Sequence, residues 1–80
     1  MKTLSDAVVD RICKYLGEKN MSQYKLAQLS CVPFPTIRSI MQRRTKDIHL
    51  KTIIMLSEGL GVPLNEFLDE SIFNTSNLDM

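Results

Sequence analysis

The sequence is poor in the residues on which disulfide scaffolds, zinc sites and turn-rich β-folds depend. Its 80 residues include no Trp, two Cys, one His, three Gly and three Pro. Small secreted domains that rely on disulfides contain more cysteines, and two thiols with one imidazole do not complete the ligand set of a structural zinc site. We therefore expect Cys13 and Cys31 to be reduced thiols, and we expect no metal or other cofactor.

Long apolar segments are missing as well. The longest uninterrupted apolar run is Ile53–Leu56, which is far shorter than a membrane span, and residues 1–6 lack the apolar core of a signal peptide. These features predict a cytoplasmic protein that does not contact a membrane. The length suits one domain, which we place at residues 1–70. Residues 71–80 form a tail that is either disordered or part of a dimer contact.

The motifs of common enzymes are also absent from the sequence. It contains no Gly-rich phosphate-binding loop, no Ser/His/Asp or Cys/His set with a plausible arrangement, and no paired carboxylates in a predicted cleft. We expect a protein that is not an enzyme. The single histidine, His49, precedes an apolar helical pattern, where it caps or packs at the start of a helix.

Charge is distributed unevenly, although the formal net charge is only +1. Residues 23–54 contain six Lys or Arg and one acidic residue, Asp47, whereas residues 55–80 contain five Asp or Glu and no Lys or Arg. A basic segment beside an acidic one is typical of a protein with one face for a polyanion. A merely solvated charged face is the alternative from charge alone.

Apolar residues recur at helical spacing in five segments. The predicted helices are Ser5–Lys19, Gln23 to Leu29 or Ser30, Phe34 to Gln42 or Arg43, His49–Leu60, and Leu64 to about Glu70. Thr3 or Ser5 and then Ser22 are suitable N-caps, and Asn20 and Gly61 suit left-handed C-caps. Only four residues, 30–33, join the second predicted helix to the third. Two short helices so closely joined predict a helix-turn-helix.

The segments in this region resemble those of phage-repressor-type proteins, the Cro-like and Xre-like family. Met21–Pro33 resembles the second-helix signature, and Thr36–Ile40 resembles the recognition helix. Leu50–Ile53 and Leu60–Phe67 resemble the fourth and fifth helices. The resemblance covers roughly residues 6–69 and implies an all-α, five-helix, lambda-repressor-like DNA-binding domain whose second and third helices form the helix-turn-helix.

The resemblance also implies which side chains bind DNA. The third helix would enter the major groove of double-stranded operator DNA and contact bases through Phe34, Pro35, Arg38 and Ser39. Phosphate contacts would come from Gln23, Gln42, Arg43, Arg44, Thr45 and Lys46. Arg38 suits the acceptor edge of guanine, and Phe34 suits a thymine methyl group. A phosphate-binding or solvated Arg38, and a Phe34 folded onto the core, are the alternatives.

Two positions depart from the family pattern. Cys31 occupies the tight turn where the family usually has Gly, because the backbone there tends toward positive φ. The loop after the third helix has no Gly near Arg43 or Arg44, so its shape is expected to differ from that of the family.

We predict a sequence-specific transcriptional repressor that binds a short palindrome as a homodimer. Some of the apolar residues near the end of the chain, namely Phe67, Leu68, Ile72 and Phe73, are predicted to contribute to the dimer contact. The alternative is a helix-turn-helix fold used as a protein–protein interaction module, for example a toxin-binding antitoxin, with little or no DNA binding.

Overall fold

Five helices form the protein in a computed structural model, which describes residues 2–69, 73, 78 and 79. They are α1 (Leu4–Lys19), α2 (Gln23–Ser30), α3 (Phe34–Met41), α4 (Leu50–Leu60) and α5 (Leu64–Phe67). The predicted all-α, five-helix architecture is confirmed. A two-residue parallel pairing of β1 (Lys2–Thr3) with β2 (Leu78–Asp79) was not predicted. Within the described residues, no helix is both long and apolar enough to cross a membrane.

Most helix ends lie at the residues that the capping signals indicate. Thr3 is the N-cap of α1 and forms a capping box, because its hydroxyl accepts a hydrogen bond from the Asp6 N–H while its own N–H donates to the Asp6 carboxylate. Ser22 caps α2 through the Lys25 N–H. Asn20 and Gly61 adopt the left-handed conformation expected at the C-caps of α1 and α4.

Four helix ends differ from the prediction, and one of them is the start of α1, which lies one residue earlier, at Leu4. Helix α3 ends at Met41, with Gln42 as its C-cap. His49 is the N-cap of α4 rather than its first residue, and its side chain makes no capping hydrogen bond. Helix α5 ends at Phe67 instead of continuing to about Glu70, which lies outside the described residues.

A buried arginine explains the early end of α5. The Arg11 side chain donates hydrogen bonds of 2.7 Å to the carbonyl oxygens of Phe67 and Glu66, and of 2.9 Å to the Tyr15 hydroxyl. The last carbonyl groups of a helix have no partners within the helix. Arg11 therefore stabilises the end of α5 through contacts that lie far apart in sequence.

The apolar residues near the chain end cover the protein's own core. Phe67 is fully buried and its ring stacks on that of Tyr15, with 6.3 Å between centroids. Leu68 and Phe73 are partly buried against the same core. Phe67 is therefore not among the residues that contribute to a dimer contact, because no area of its side chain is left for a partner. Ile72 lies outside the described residues.

The two helices of the helix-turn-helix share one core. Leu26 of α2, Val32 of the turn, and Ile37 and Ile40 of α3 are all buried together. Helix α4 closes the other side of α2, where Gly59 lies directly against Ser30. The buried side chains of α3 determine which side of that helix faces outward.

Cys31 has the positive φ that the tight turn was expected to require, at 62°. An L-residue in this conformation is destabilised by about 1–2 kcal/mol, and the exposed Cys31 side chain contributes little packing. We expect Cys31→Gly to raise the free energy of unfolding by about 1 kcal/mol, partly offset by the greater entropy of the unfolded chain. Thermal unfolding checks this, and a clear loss of stability would show that the thiol packs usefully.

Candidate nucleic-acid interface

Helix α3 presents its predicted base-contacting residues on its outer side. Pro35 and Arg38 are exposed, while Phe34 and Ser39 are partly buried at its edges. Burial of Ile37 and Ile40 on the opposite side holds the helix in this rotation. All four predicted residues therefore keep solvent-accessible surface.

Phe34 belongs to an aromatic cluster on the surface and is not part of the core. Its ring meets the Tyr24 ring edge-to-face, with 5.7 Å between centroids, an arrangement that aromatic pairs favour. The guanidinium carbon of Arg38 lies 5.9 Å from the centre of the Phe34 ring, within the range of a cation–π contact. The alternative in which Phe34 folds onto the core is therefore wrong.

An open cleft of about 700 Å³ separates the start of α2 from α3. Six of the residues predicted or found at this surface line it, namely Gln23, Tyr24, Phe34, Arg38, Gln42 and Arg43. Gln23 is the first residue of α2, where the backbone N–H groups of a helix have no intrahelical partners and the helix dipole is positive. The cleft thus combines donors and a positive field, which suit an anion.

The loop after α3 keeps a left-handed residue although it contains no glycine. Arg43 has a φ of 60°, and its N–H donates to the Ile40 carbonyl, while the Arg44 N–H donates to the Ser39 carbonyl. Arg43 therefore adopts a conformation that favours glycine although it is not one.

Arg43 also forms an ion pair with the start of α1. Its Nε lies 2.6 Å from Oδ1 of Asp6, and both side chains are partly exposed. Arg43, Thr45 and Lys46 line a second cavity, of about 610 Å³, beside this end of α1. The exposed Arg44 lines neither cavity.

The predicted phosphate-contacting residues therefore divide into two neighbouring groups. Gln23 and Gln42 line the cleft, Thr45 and Lys46 line the second cavity, and Arg43 borders both. Sequence reasoning missed two residues of this surface. They are Tyr24, which follows Gln23 directly, and Asp6, which forms the ion pair with Arg43.

The ion pair makes the stability of the fold depend on the charge of Asp6. The Arg43 guanidinium, followed by the Thr3 N–H and hydroxyl, holds the pKa of Asp6 below its usual value. A carboxylate with a depressed pKa stabilises the fold above its unfolded-state pKa, and this contribution disappears as the pH falls through the folded-state value.

We therefore expect Asp6→Asn to be less stable than the wild type at neutral pH and to show a smaller loss of stability below about pH 4. Thermal unfolding between neutral and acid pH measures this difference. Parallel pH profiles for the two proteins would contradict the assigned role of Asp6.

The fold and this surface define a class of protein, a small all-α domain with an exposed helix-turn-helix. The family model described as helix-turn-helix matches residues 12–67, so the chain belongs to this helix-turn-helix family, of the Cro-like and Xre-like type. This membership indicates a DNA-binding regulator. Neither the curated proteins nor the solved structures compared with the chain gave a match.

Proposed function

We propose that the protein is a cytoplasmic, sequence-specific transcriptional repressor that binds a short palindromic operator as a homodimer. One observation carries the proposal: the outer side of α3 and the N-terminus of α2 border the same open cleft. A duplex that admits α3 into its major groove places a phosphate near the N-terminus of the preceding helix.

The proposed contacts follow from the chemistry of the two cavities. Gln23 and the first N–H groups of α2 bind one phosphate together with Gln42. Arg43, Arg44, Thr45 and Lys46 bind the next part of the same strand. Phosphate contacts of this kind position a protein on the duplex without reading sequence, so base recognition is assigned to Phe34, Pro35, Arg38 and Ser39.

The loop contacts are tested by the salt dependence of binding. We expect the double variant Arg43→Ala, Lys46→Ala to bind all duplexes more weakly. Its plot of log affinity against log salt concentration is expected to flatten by about 0.9 for each phosphate that the variant no longer neutralises. Fluorescence anisotropy with a labelled duplex at several salt concentrations measures both effects.

A matched control removes two positive charges from α1. Lys14 and Lys19 are exposed and line neither cavity, so their replacement by Ala is expected to change the slope much less. Equal slopes for the loop variant and the wild type would exclude the loop from the interface. If no duplex binds at all, the fold serves as a protein–protein interaction module instead.

Dimerisation is proposed because a single domain contacts too few base pairs for strong discrimination. Two recognition helices about 34 Å apart would read two half-sites one helical turn apart. Leu50 and Ile54, one turn apart on α4, are 59% and 36% exposed, and we assign them to the contact in place of Phe67. Exposed large apolar side chains on neighbouring turns are suited to a protein contact.

Sedimentation at several concentrations, with and without a palindromic duplex, tests the assembly. We expect two chains to bind each duplex cooperatively, and we expect Leu50→Glu to remove the cooperativity, so that each half-site binds its chain independently. A complex of one chain per full palindrome at saturation would contradict the dimer.

A further inference from the structure

The aromatic cluster of Tyr24 and Phe34, between α2 and α3, was not expected from the sequence. Tyr24 is 59% exposed, although burial of an aromatic side chain is strongly favoured. It contacts Phe34 edge-to-face at 5.7 Å, and both rings line the cleft next to the start of α2. The two rings thus form an apolar wall beside the outer side of α3.

Arg38 places a positive charge beside this apolar wall. Arg38 lies one helical turn after Phe34, and its guanidinium carbon is 5.9 Å from the centre of that ring. Within residues 2–69, the structure gives Arg38 no carboxylate partner. The N–H groups of the guanidinium therefore stay available to an acceptor that approaches along the wall.

An apolar wall beside an available guanidinium group matches one kind of base step in the major groove. Guanine presents the acceptors O6 and N7, which an arginine binds through two parallel hydrogen bonds. The pyrimidine on the 5′ side of that guanine presents its C5 position toward the same arginine. When this position has a methyl group, as in thymine, the methyl is an apolar contact for an aromatic side chain.

We propose that Tyr24 and Phe34 contact the 5-methyl group of a pyrimidine while Arg38 binds the guanine on its 3′ side. Each half-site of the operator then contains a 5′-TG-3′ step, and Tyr24 is a specificity-determining residue on α2. The inference rests on the proposed function, because it requires α3 to enter the major groove. The inference predicts that affinity depends on the 5-methyl group of one pyrimidine. Phosphate contacts do not depend on that group.

The test begins with selection of bound sequences from a random duplex pool by the full chain. Each thymine of the selected duplex is then replaced singly by deoxyuridine, which removes only the methyl group. We expect deoxyuridine at the TG step to weaken binding by about fourfold in one half-site and about fifteenfold in both. In a duplex with a CG step there, 5-methylcytosine is expected to bind more tightly than cytosine by a similar factor.

Variants of the chain assign the effect to Tyr24. Tyr24→Ala is expected to lower the ratio of affinities for thymine and deoxyuridine at this step, with Phe34 supplying what remains, whereas Tyr24→Phe keeps the ratio, because the ring makes the contact. The matched control is Leu29→Ala, which removes another exposed apolar side chain of α2 and is expected to leave the ratio unchanged. Thermal unfolding of each variant confirms that it folds.

The outcomes separate this inference from the proposed function. If no sequence is enriched, the proposed function of sequence-specific binding is contradicted, and the inference is overturned together with it. If a sequence is enriched but lacks a TG step, or deoxyuridine binds as well as thymine, only the inference is overturned. An unchanged ratio in Tyr24→Ala overturns the assignment to Tyr24.

Discussion

Gly59→Leu is expected to lower the free energy of unfolding by about 3 kcal/mol, through overpacking between α2 and α4. A Cβ at position 59 would lie 2.6 Å from the Ser30 Cβ and 2.8 Å from both the Cα and N of Ser30. Two of these atoms belong to the backbone, so no rotation of the Ser30 side chain relieves the contact. The two helices would have to separate, and small domains have only about 5–10 kcal/mol of stability in total.

Chemical denaturation of wild type, Gly59→Ala and Gly59→Leu measures the effect, and we expect stability to fall in that order. Alanine gains about 1 kcal/mol of helix propensity at position 59, which only partly offsets the clash. Gly17 provides the control, because a Cβ added there meets nothing within 4 Å. Gly17→Ala in α1 is therefore expected to be stabilising, and a Gly59→Ala variant that is equally stabilised would contradict the close crossing.

Arg38→Ala is expected to remove about 1–3 kcal/mol of discrimination at one base pair of each half-site. The side chain is exposed on the outer side of α3 and touches the Phe34 ring, so folding should be nearly unchanged. Binding to nonspecific duplex is expected to change little, because the substitution removes hydrogen bonds to a base and leaves the phosphate contacts in place. Affinities of wild type and variant for every single-base change of the selected operator measure the difference.

Arg38→Lys is the matched variant for this experiment. Lysine keeps the positive charge but lacks the planar pair of donors that binds guanine through two hydrogen bonds. If Arg38 reads a base, the Lys variant loses most of the discrimination while it keeps nonspecific affinity. If Arg38→Ala instead loses affinity equally on every sequence, Arg38 binds a phosphate, and base recognition lies with Phe34 and Ser39.

Local signals predicted the helices well because helix boundaries depend on nearby residues. Ser22 and Gly61 mark a start and an end through their own backbone and side-chain chemistry. The positive φ of Cys31 was implied by the family resemblance, which places Gly at this turn, and Cys31 has a φ of 62°. The end of α5 was predicted wrongly, because Arg11 binds its last carbonyl groups from the other end of the domain.

The surface was predicted less completely than the fold. The spacing of Phe34 and Arg38 placed both on one side of α3, and the structure confirms this through their contact. The partners of these residues were not predictable, because Tyr24 reaches Phe34 from another helix. The ion pair of Asp6 with Arg43 spans 37 positions of the sequence, and no local pattern indicates a contact at that separation.

The amino-acid sequence alone was enough for the number and order of the helices, the helix-turn-helix and the uneven charge. Each of these depends on periodicity, capping or composition, which are properties of short segments or of whole counts. The tertiary structure alone decided that Phe67 is buried, that Arg43 is held by Asp6, and that Tyr24 stands beside Phe34. These depend on which surfaces meet when the helices pack, and packing is set by the shapes of side chains distant in sequence.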